Sequence, residues 1–231
     1  MKLYVKDLSK TYDSKVVLDN INFTFEEGKI YGLIGRNGAG KTTFFNAINN
    51  DIEIDSGSIL LDDKNIESTD IGYVISTPMV PEFLTAREFL EFFVDINKDR
   101  VDNTKSIEEY FDIVKIKKED QDKLLKEYSH GMKNKMQMLI NFIASPKVLL
   151  LDEPLTSLDV VVQDEMKNLL KKMKKNHILI FSTHILELAM DLCDEIVILN
   201  NGKLELVEKN DLNTKRYKNK IINSLKDDKN D

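Results

Sequence analysis

Cysteine is nearly absent: Cys193 is the only one in 231 residues. No intramolecular disulfide framework and no cysteine-rich zinc site can be built from it, and this usage fits a reducing compartment. An excess of positive charge is also lacking. Lys and Arg number 33 against 40 Asp and Glu, a formal charge of −7. That balance argues against a globally basic nucleic-acid binder and leaves room only for a local patch. Long apolar runs are missing as well. Stretches such as Val148–Leu151 and Ile178–Phe181 are far short of the ~20 residues that a membrane-spanning helix needs. The first ten residues, MKLYVKDLSK, hold no apolar run, so no secretory signal is expected. No internal repeat and no low-complexity linker is visible. What is present suits a soluble, cytosolic globular protein: 42% apolar residues for a core and 32% charged residues for a surface. The length suggests one large domain or two small ones.

Short apolar runs alternate with amphipathic stretches. Ile30–Ile34, Val148–Leu151, Ile178–Phe181 and Ile196–Leu199 are β-branched-rich and of strand length. They read as buried strands of a mostly parallel sheet. Helical patterns follow from Lys41 and over Val160–Lys175 and Ile185–Leu192, which makes the class α/β. The N-terminal third differs. Leu3–Leu8, Ile21–Phe25 and Ser58–Leu61 predict an antiparallel layer, with turns at Glu27-Gly28 and Ser56-Gly57. Asn201-Gly202 predicts a two-residue hairpin. Thr85 to Tyr128 carries charges at helical spacing and reads as an inserted helical subdomain. Cys193 reads as a small buried filler, and His177, ahead of a strand, as a surface residue.

Gly35-Arg36-Asn37-Gly38-Ala39-Gly40-Lys41-Thr42 matches G-x-x-x-x-G-K-[ST] in full. Glycines let successive backbone N–H groups turn inward as an anion-binding nest. The helix that follows points its positive end at the same place. Lys41 would bridge β- and γ-phosphate oxygens, and the Thr42 hydroxyl would ligate Mg²⁺. The run Val148-Leu149-Leu150-Leu151-Asp152-Glu153-Pro154 ends a buried strand in two carboxylates. Asp152 can hold Mg²⁺ through water, and Glu153 can orient and polarise an attacking water.

These two motifs and their order resemble the ATP-binding subunit of an ABC transporter, over residues 1–208. The resemblance implies a P-loop NTPase core with a mostly parallel sheet, residues 1–84 and 129–208, an N-terminal antiparallel β layer and a helical subdomain, 85–128. A charged tail, 209–231, lies beyond it. Tyr12 resembles the aromatic that stacks on adenine, so the implied ATP contacts are Tyr12 and Gly35 through Thr43. Tyr128-Ser129-His130-Gly131-Met132 resembles the signature motif, usually Leu-Ser-Gly-Gly-Gln, which donates to the γ-phosphate of a partner subunit. Here His130 replaces the first glycine and Met132 the glutamine, while Ser129 and Gly131 are retained. His130 either approaches nucleotide across the dimer or decorates a helix start. Ser157-Leu158-Asp159 resembles the D-loop, and Ser182-Thr183-His184 the switch loop, whose His184 would hold the attacking water.

One departure stands out. After the strand Ile71–Ile75 the family usually has a glutamine near Mg²⁺; here Ser76 occupies that place. Its loss, and the run Pro81–Glu88, resemble exporters of the bacitracin and lantibiotic-immunity type. The expectation is an ATPase motor that uses ATP and Mg²⁺, with Glu153, His184 and Lys41 as catalytic residues. The metal would be held by Thr42 and Asp152, with Ser76 acting through water. The implied partners are a second ABC ATPase subunit, in a homo- or heterodimer, and a separate permease; no nucleic acid is expected. The implied place is cytoplasmic, peripheral on the inner face of the membrane. Met79, Val80, Phe83 and Phe89 are candidates for the permease contact. Two rivals stand beside this reading: a soluble ABC ATPase, and a nucleotide-dependent switch that barely hydrolyses. Lys171–Lys175 suits a helix C-terminus, and Lys215–Lys220 either a solvated tail helix or a contact with anionic lipid.

Overall fold

The computed structural model describes residues 1–99, 101, 105–155 and 158–207. Strands β1 (Lys2–Tyr12), β2 (Lys15–Glu26), β4 (Ser56–Leu61) and β5 (Lys64–Asn65) form an antiparallel sheet in the order β2-β1-β4-β5. Strands β3 (Ile30–Ile34), β6 (Ile71–Val74), β7 (Val148–Asp152), β8 (Ile178–Thr183), β9 (Glu195–Asn200) and β10 (Lys203–Val207) form the second sheet, ordered β10-β9-β3-β8-β7-β6. Every pair in it is parallel except β9–β10, the hairpin at Asn201-Gly202. Both hairpin residues have positive φ, 48° and 75°, which is what a two-residue turn matched to strand twist requires.

The continuous apolar runs are explained by burial on both faces. Alternate residues of the central strands enter two separate cores. Ile30, Leu149, Leu151, Leu179, Phe181, Ile196 and Ile198 join one. Tyr31, Leu33, Val148, Leu150, Ile178, Ile180, Val197 and Leu199 join the other. Each fully buried Leu or Ile stabilises by about 1.5–3 kcal/mol before chain entropy is counted. The second core is covered by the antiparallel sheet and by α1 (Lys41–Ile48). The first is covered by α5 (His130–Ala144), α6 (Val160–Met173), α7 (Leu186–Leu192) and the helices of the inserted segment.

Those helices are α2 (Ala86–Ile96), α3 (Ile107–Ile113) and α4 (Lys118–Gln121). Capping boxes start the first two, Thr85 with Glu88 and Ser106 with Glu109, so two otherwise orphaned N–H groups are satisfied at each start. Arg87 ties the group together. Its guanidinium donates to Asp122 at 2.7 Å, Glu108 at 2.7 Å and Gln121 at 3.0 Å.

Two expectations are corrected. Ser56-Gly57 is not a turn: it lies inside β4, opposite an irregularity of β1 between Lys6 and Ser9. Gly57 has φ +96°, and a Cβ there would sit 2.5 Å from the Lys6 carbonyl oxygen, so the glycine serves a bulge rather than a reversal. His177 is not on the surface. It is buried, with Nδ1 2.6 Å from the Pro146 carbonyl oxygen on the loop that enters β7. Cys193 is buried at the end of α7, as expected.

Candidate functional site

The loop from Gly35 to Gly40 leaves the C-terminal end of β3 and enters α1. Gly40 is the N-cap at φ +102°, and no side chain caps the helix. A Cβ on Gly40 would lie 2.9 Å from Val17 Cγ1, so only glycine fits there. Gly38 is also left-handed, φ +78°. The uncapped first turn of α1 therefore presents its N–H groups toward the loop, where an anion is favoured.

A cavity of about 360 Å³ opens over this turn. Its walls include Arg36, Asn37, Gly38, Gly40, Lys41, Thr42 and Thr43 from the loop and helix, and Ser76, Asp152 and Glu153 from the ends of β6 and β7. A second cavity, about 300 Å³, shares Val17, Arg36, Asn37 and Gly38 with the first and adds Lys15, Val16, Ala39 and the Asn200–Gly202 hairpin. Ligands of parallel sheets bind outside the carboxyl ends of the strands, and both cavities lie there.

The charged groups converge. Lys41 is buried; its ammonium donates to the carbonyls of Gly35 (2.8 Å) and Arg36 (3.1 Å) and lies 3.7 Å from Glu153 Oε1. Glu153 Oε2 is 3.0 Å from His184 Nδ1. The Thr42 hydroxyl donates to Asp152 Oδ2 at 2.9 Å. The Ser182 hydroxyl donates to Asp152 Oδ1 at 2.5 Å and accepts the Glu153 N–H at 3.0 Å. Tyr73, on β6, packs edge-on against Phe45 and places its hydroxyl 3.4 Å from Asn46 Oδ1. Burial first, and then the Asp152 charge, hold its phenol above the ordinary value, so it stays a neutral donor at neutral pH.

Thr42 and Asp152 suit a magnesium ion. They offer hard oxygens side by side, 2.9 Å apart. A sparse protein set completed by phosphates and waters is how Mg²⁺ is usually held.

Elsewhere the predicted residues are placed as follows. Tyr12 ends β1, is 43% exposed, and has the Lys10 ammonium 5.0 Å from its ring centre; it lines neither cavity. Ser129 is the N-cap of α5, its hydroxyl accepting from the Met132 N–H at 3.2 Å. His130 and Gly131 form the first turn of that helix. Asp159 caps α6, accepting from the N–H groups of Val161 and Val162 at 3.0 Å each. Leu158 is buried. Ser157 and the tail 209–231 lie outside the described residues. Sequence reasoning named Ser182 only as part of the switch-loop motif and gave it no role of its own. Its signal appears only once β8 is known to pair with β7 in the register Asp152↔Ser182.

Comparison with known proteins agrees with this geometry. A family model described as ABC transporter matches residues 18–156. An uncharacterized ABC transporter ATP-binding protein of Bacillus subtilis, YxlF, is 32% identical over 87% of this chain and 69% of its own length. The bacitracin transport ATP-binding protein BcrA of Bacillus licheniformis is 34% identical over 86% of this chain and 66% of its own. A solved structure of an ATP-binding subunit of an ABC transporter superposes with a TM-score of 0.79 at 26% identity, covering 96% of this chain and 94% of that one. CbiO1 of Clostridium perfringens, part of the transporter complex cbiONQ, gives 0.76 at 27% identity, over 95% and 92%. With the phosphate loop and the acidic strand end meeting at one cavity, the histidine beside Glu153, and relatives of this kind across most of its length, the chain belongs to the ABC transporter family, among its ATP-binding subunits.

Proposed function

We propose that this chain is an ATP-hydrolysing motor, cleaving ATP to ADP and phosphate and driving transport through a separate membrane permease. The observation that carries the reading is the meeting of Lys41, Glu153 and His184 beside the Thr42–Asp152 pair. In this reading the loop N–H groups and the Lys41 ammonium hold the β- and γ-phosphates. Thr42 and Asp152 would hold Mg²⁺, with Ser76 acting through water; when bound, the ion would supply positive charge beside the phosphates. Glu153 polarises the attacking water, and His184 holds that water and the Glu153 carboxylate in place.

A second ABC ATPase subunit completes the site. Ser129, His130, Gly131 and Met132 of this chain face the nucleotide of the second subunit, in a homo- or heterodimer, with Ser157, Leu158 and Asp159 beside them. The cassette, residues 1–208, then sits on the inner face of the membrane. Among the described residues no helix is long and apolar enough to cross a membrane; in this reading the channel belongs to the permease. Met79 (74% exposed) and Phe83 (79% exposed) are proposed for that contact, while Val80 and Phe89 pack against the core. Export is the proposed direction. It rests on Ser76 and the run Pro81–Glu88, which resemble the bacitracin-type exporter group.

The deciding test is steady-state ATPase activity with and without Glu153→Gln, together with size-exclusion chromatography in Mg-ATP. Hydrolysis by the wild type, and an ATP-trapped dimer of the variant, support the reading. Ser76 and His130 favour one other, a switch that binds ATP and barely hydrolyses it; equal, near-zero turnover by both proteins would select that.

A further inference from the structure

The switch loop carries a residue besides His184 that the chemistry above leaves unused. Ser182 is fully buried. It sits on β8 directly opposite Asp152 of β7. Its even position puts it on the same sheet face as Ile178 and Ile180, the face covered by α1. A serine hydroxyl has one proton to give, and here it goes to Asp152 Oδ1 at 2.5 Å. The oxygen in turn accepts the Glu153 N–H at 3.0 Å.

Both bonds act on residues whose orientation matters. Asp152 uses its other oxygen, Oδ2, toward Thr42. Fixing Oδ1 therefore fixes which oxygen faces the metal position. Glu153 has φ +49°, a left-handed conformation that a residue with a Cβ adopts only when its surroundings hold it there. In that conformation its carboxylate lies between Lys41 and His184, 3.7 and 3.0 Å away. The N–H that Ser182 accepts belongs to the residue that is turned.

We propose that Ser182 is a positioning residue for the hydrolytic centre: one hydroxyl orients the Asp152 carboxylate toward Thr42 and pins the left-handed turn of Glu153. It is not among the residues lining the first cavity; it acts through the Asp152 carboxylate and the Glu153 backbone N–H. The inference rests on the hydrolytic reading for its kinetic consequence and on the hydrogen-bond geometry alone for its structural one.

The experiment compares the full chain with Ser182→Ala, Ser182→Thr and Ser182→Cys. The first readout is hydrogen exchange at the Glu153 amide, measured by NMR without nucleotide. Ser182→Ala is expected to speed that exchange by about 10-fold or more while the Ile180 amide is unchanged. The second is kinetic: kcat falls about 10- to 100-fold and KM for ATP moves less than about 3-fold, since the phosphate loop is untouched. The third is Mg²⁺-dependent binding of a non-hydrolysable ATP analogue, which should need more Mg²⁺ in the alanine variant. Ser182→Thr, which keeps the hydroxyl, restores all three. Ser182→Cys, a near-isostere with a poor donor, repeats the loss if the alanine protein fails to fold. Wild-type exchange at Glu153 together with wild-type kcat in Ser182→Ala, or in Ser182→Cys, overturns the proposal. If the wild type shows no turnover, the hydrolytic reading fails, and the amide exchange still decides the role of Ser182.

Discussion

Glu153 and His184 stand 3.0 Å apart, carboxylate Oε2 to imidazole Nδ1, although 31 residues separate them. The distance follows from the sheet register: β7 and β8 pair Asp152 with Ser182, so the first residues past each strand end meet. Glu153→Gln keeps the shape and loses the basic oxygen. A loss of kcat of about 100-fold or more is expected, with ATP affinity within about 3-fold of wild type. His184→Ala should act through the same pair, so the double variant should be little slower than Glu153→Gln alone. A double variant whose losses simply multiply would show the two to be independent.

Lys41→Ala removes the buried ammonium from the phosphate loop. Hydrogen bonds involving a charged group contribute about 1.5–3 kcal/mol, so Mg-ATP affinity should fall on the order of 10- to 100-fold. Calorimetry at fixed Mg²⁺ measures this directly. Unchanged affinity would mean that the nest binds phosphate without the lysine.

Ser76 lines the same cavity as Thr42 and Asp152. Its hydroxyl ends two bonds earlier than a glutamine carbonyl, roughly 2.5 Å of reach. Ser76→Gln should lower the Mg²⁺ concentration for half-maximal ATPase activity. Ser76→Ala should change ATP affinity little, because Mg²⁺ keeps several waters. If Ser76→Ala loses metal dependence as completely as Thr42→Ala, Ser76 is a direct ligand.

Gly72, in β6, tests packing rather than chemistry. A Cβ there would collide with Asn141 Oδ1 and meet Pro146 Cγ at 2.7 Å and Leu149 Cδ1 at 3.0 Å. Asn141 is buried and bonded through Nδ2 to the Gln137 carbonyl at 2.9 Å, so it cannot yield freely. Gly72→Ala should destabilise by about 1–3 kcal/mol, lowering Tm by roughly 2–4 °C per kcal/mol, with ATP affinity retained. A Tm equal to wild type would show that α5 shifts at no cost.

The phosphate loop and the strand ending in Asp152 were legible in the sequence because their chemistry is local: spacing alone brings glycines, lysine and threonine to one helix start. The contacts of Ser182 and His177 were not, since each depends on a partner about 30 residues away, set by strand order. Ser56-Gly57 misled because a turn and a bulge both call for positive φ, so one local signal serves two geometries. Tyr12 illustrates the reverse case. Its motif position was readable, but the structure places it at a strand end beside Lys10 and outside both cavities.

Among the described residues, the helical insertion shares its apolar core with the parallel sheet. Leu90, Tyr110, Phe111 and Leu125 belong to the same apolar cluster as Leu149, Leu151 and Phe181 under the parallel sheet. Unfolding those helices would therefore open the cluster that α5, α6 and α7 share with the strands leading to Asp152 and His184. The chain should melt in a single calorimetric transition, with van't Hoff and calorimetric enthalpies equal, and residues 85–128 cut out as a peptide should be largely unstructured. For the same reason, a push on the exposed Phe83 side cannot be absorbed by local melting; it must move the helices as a body.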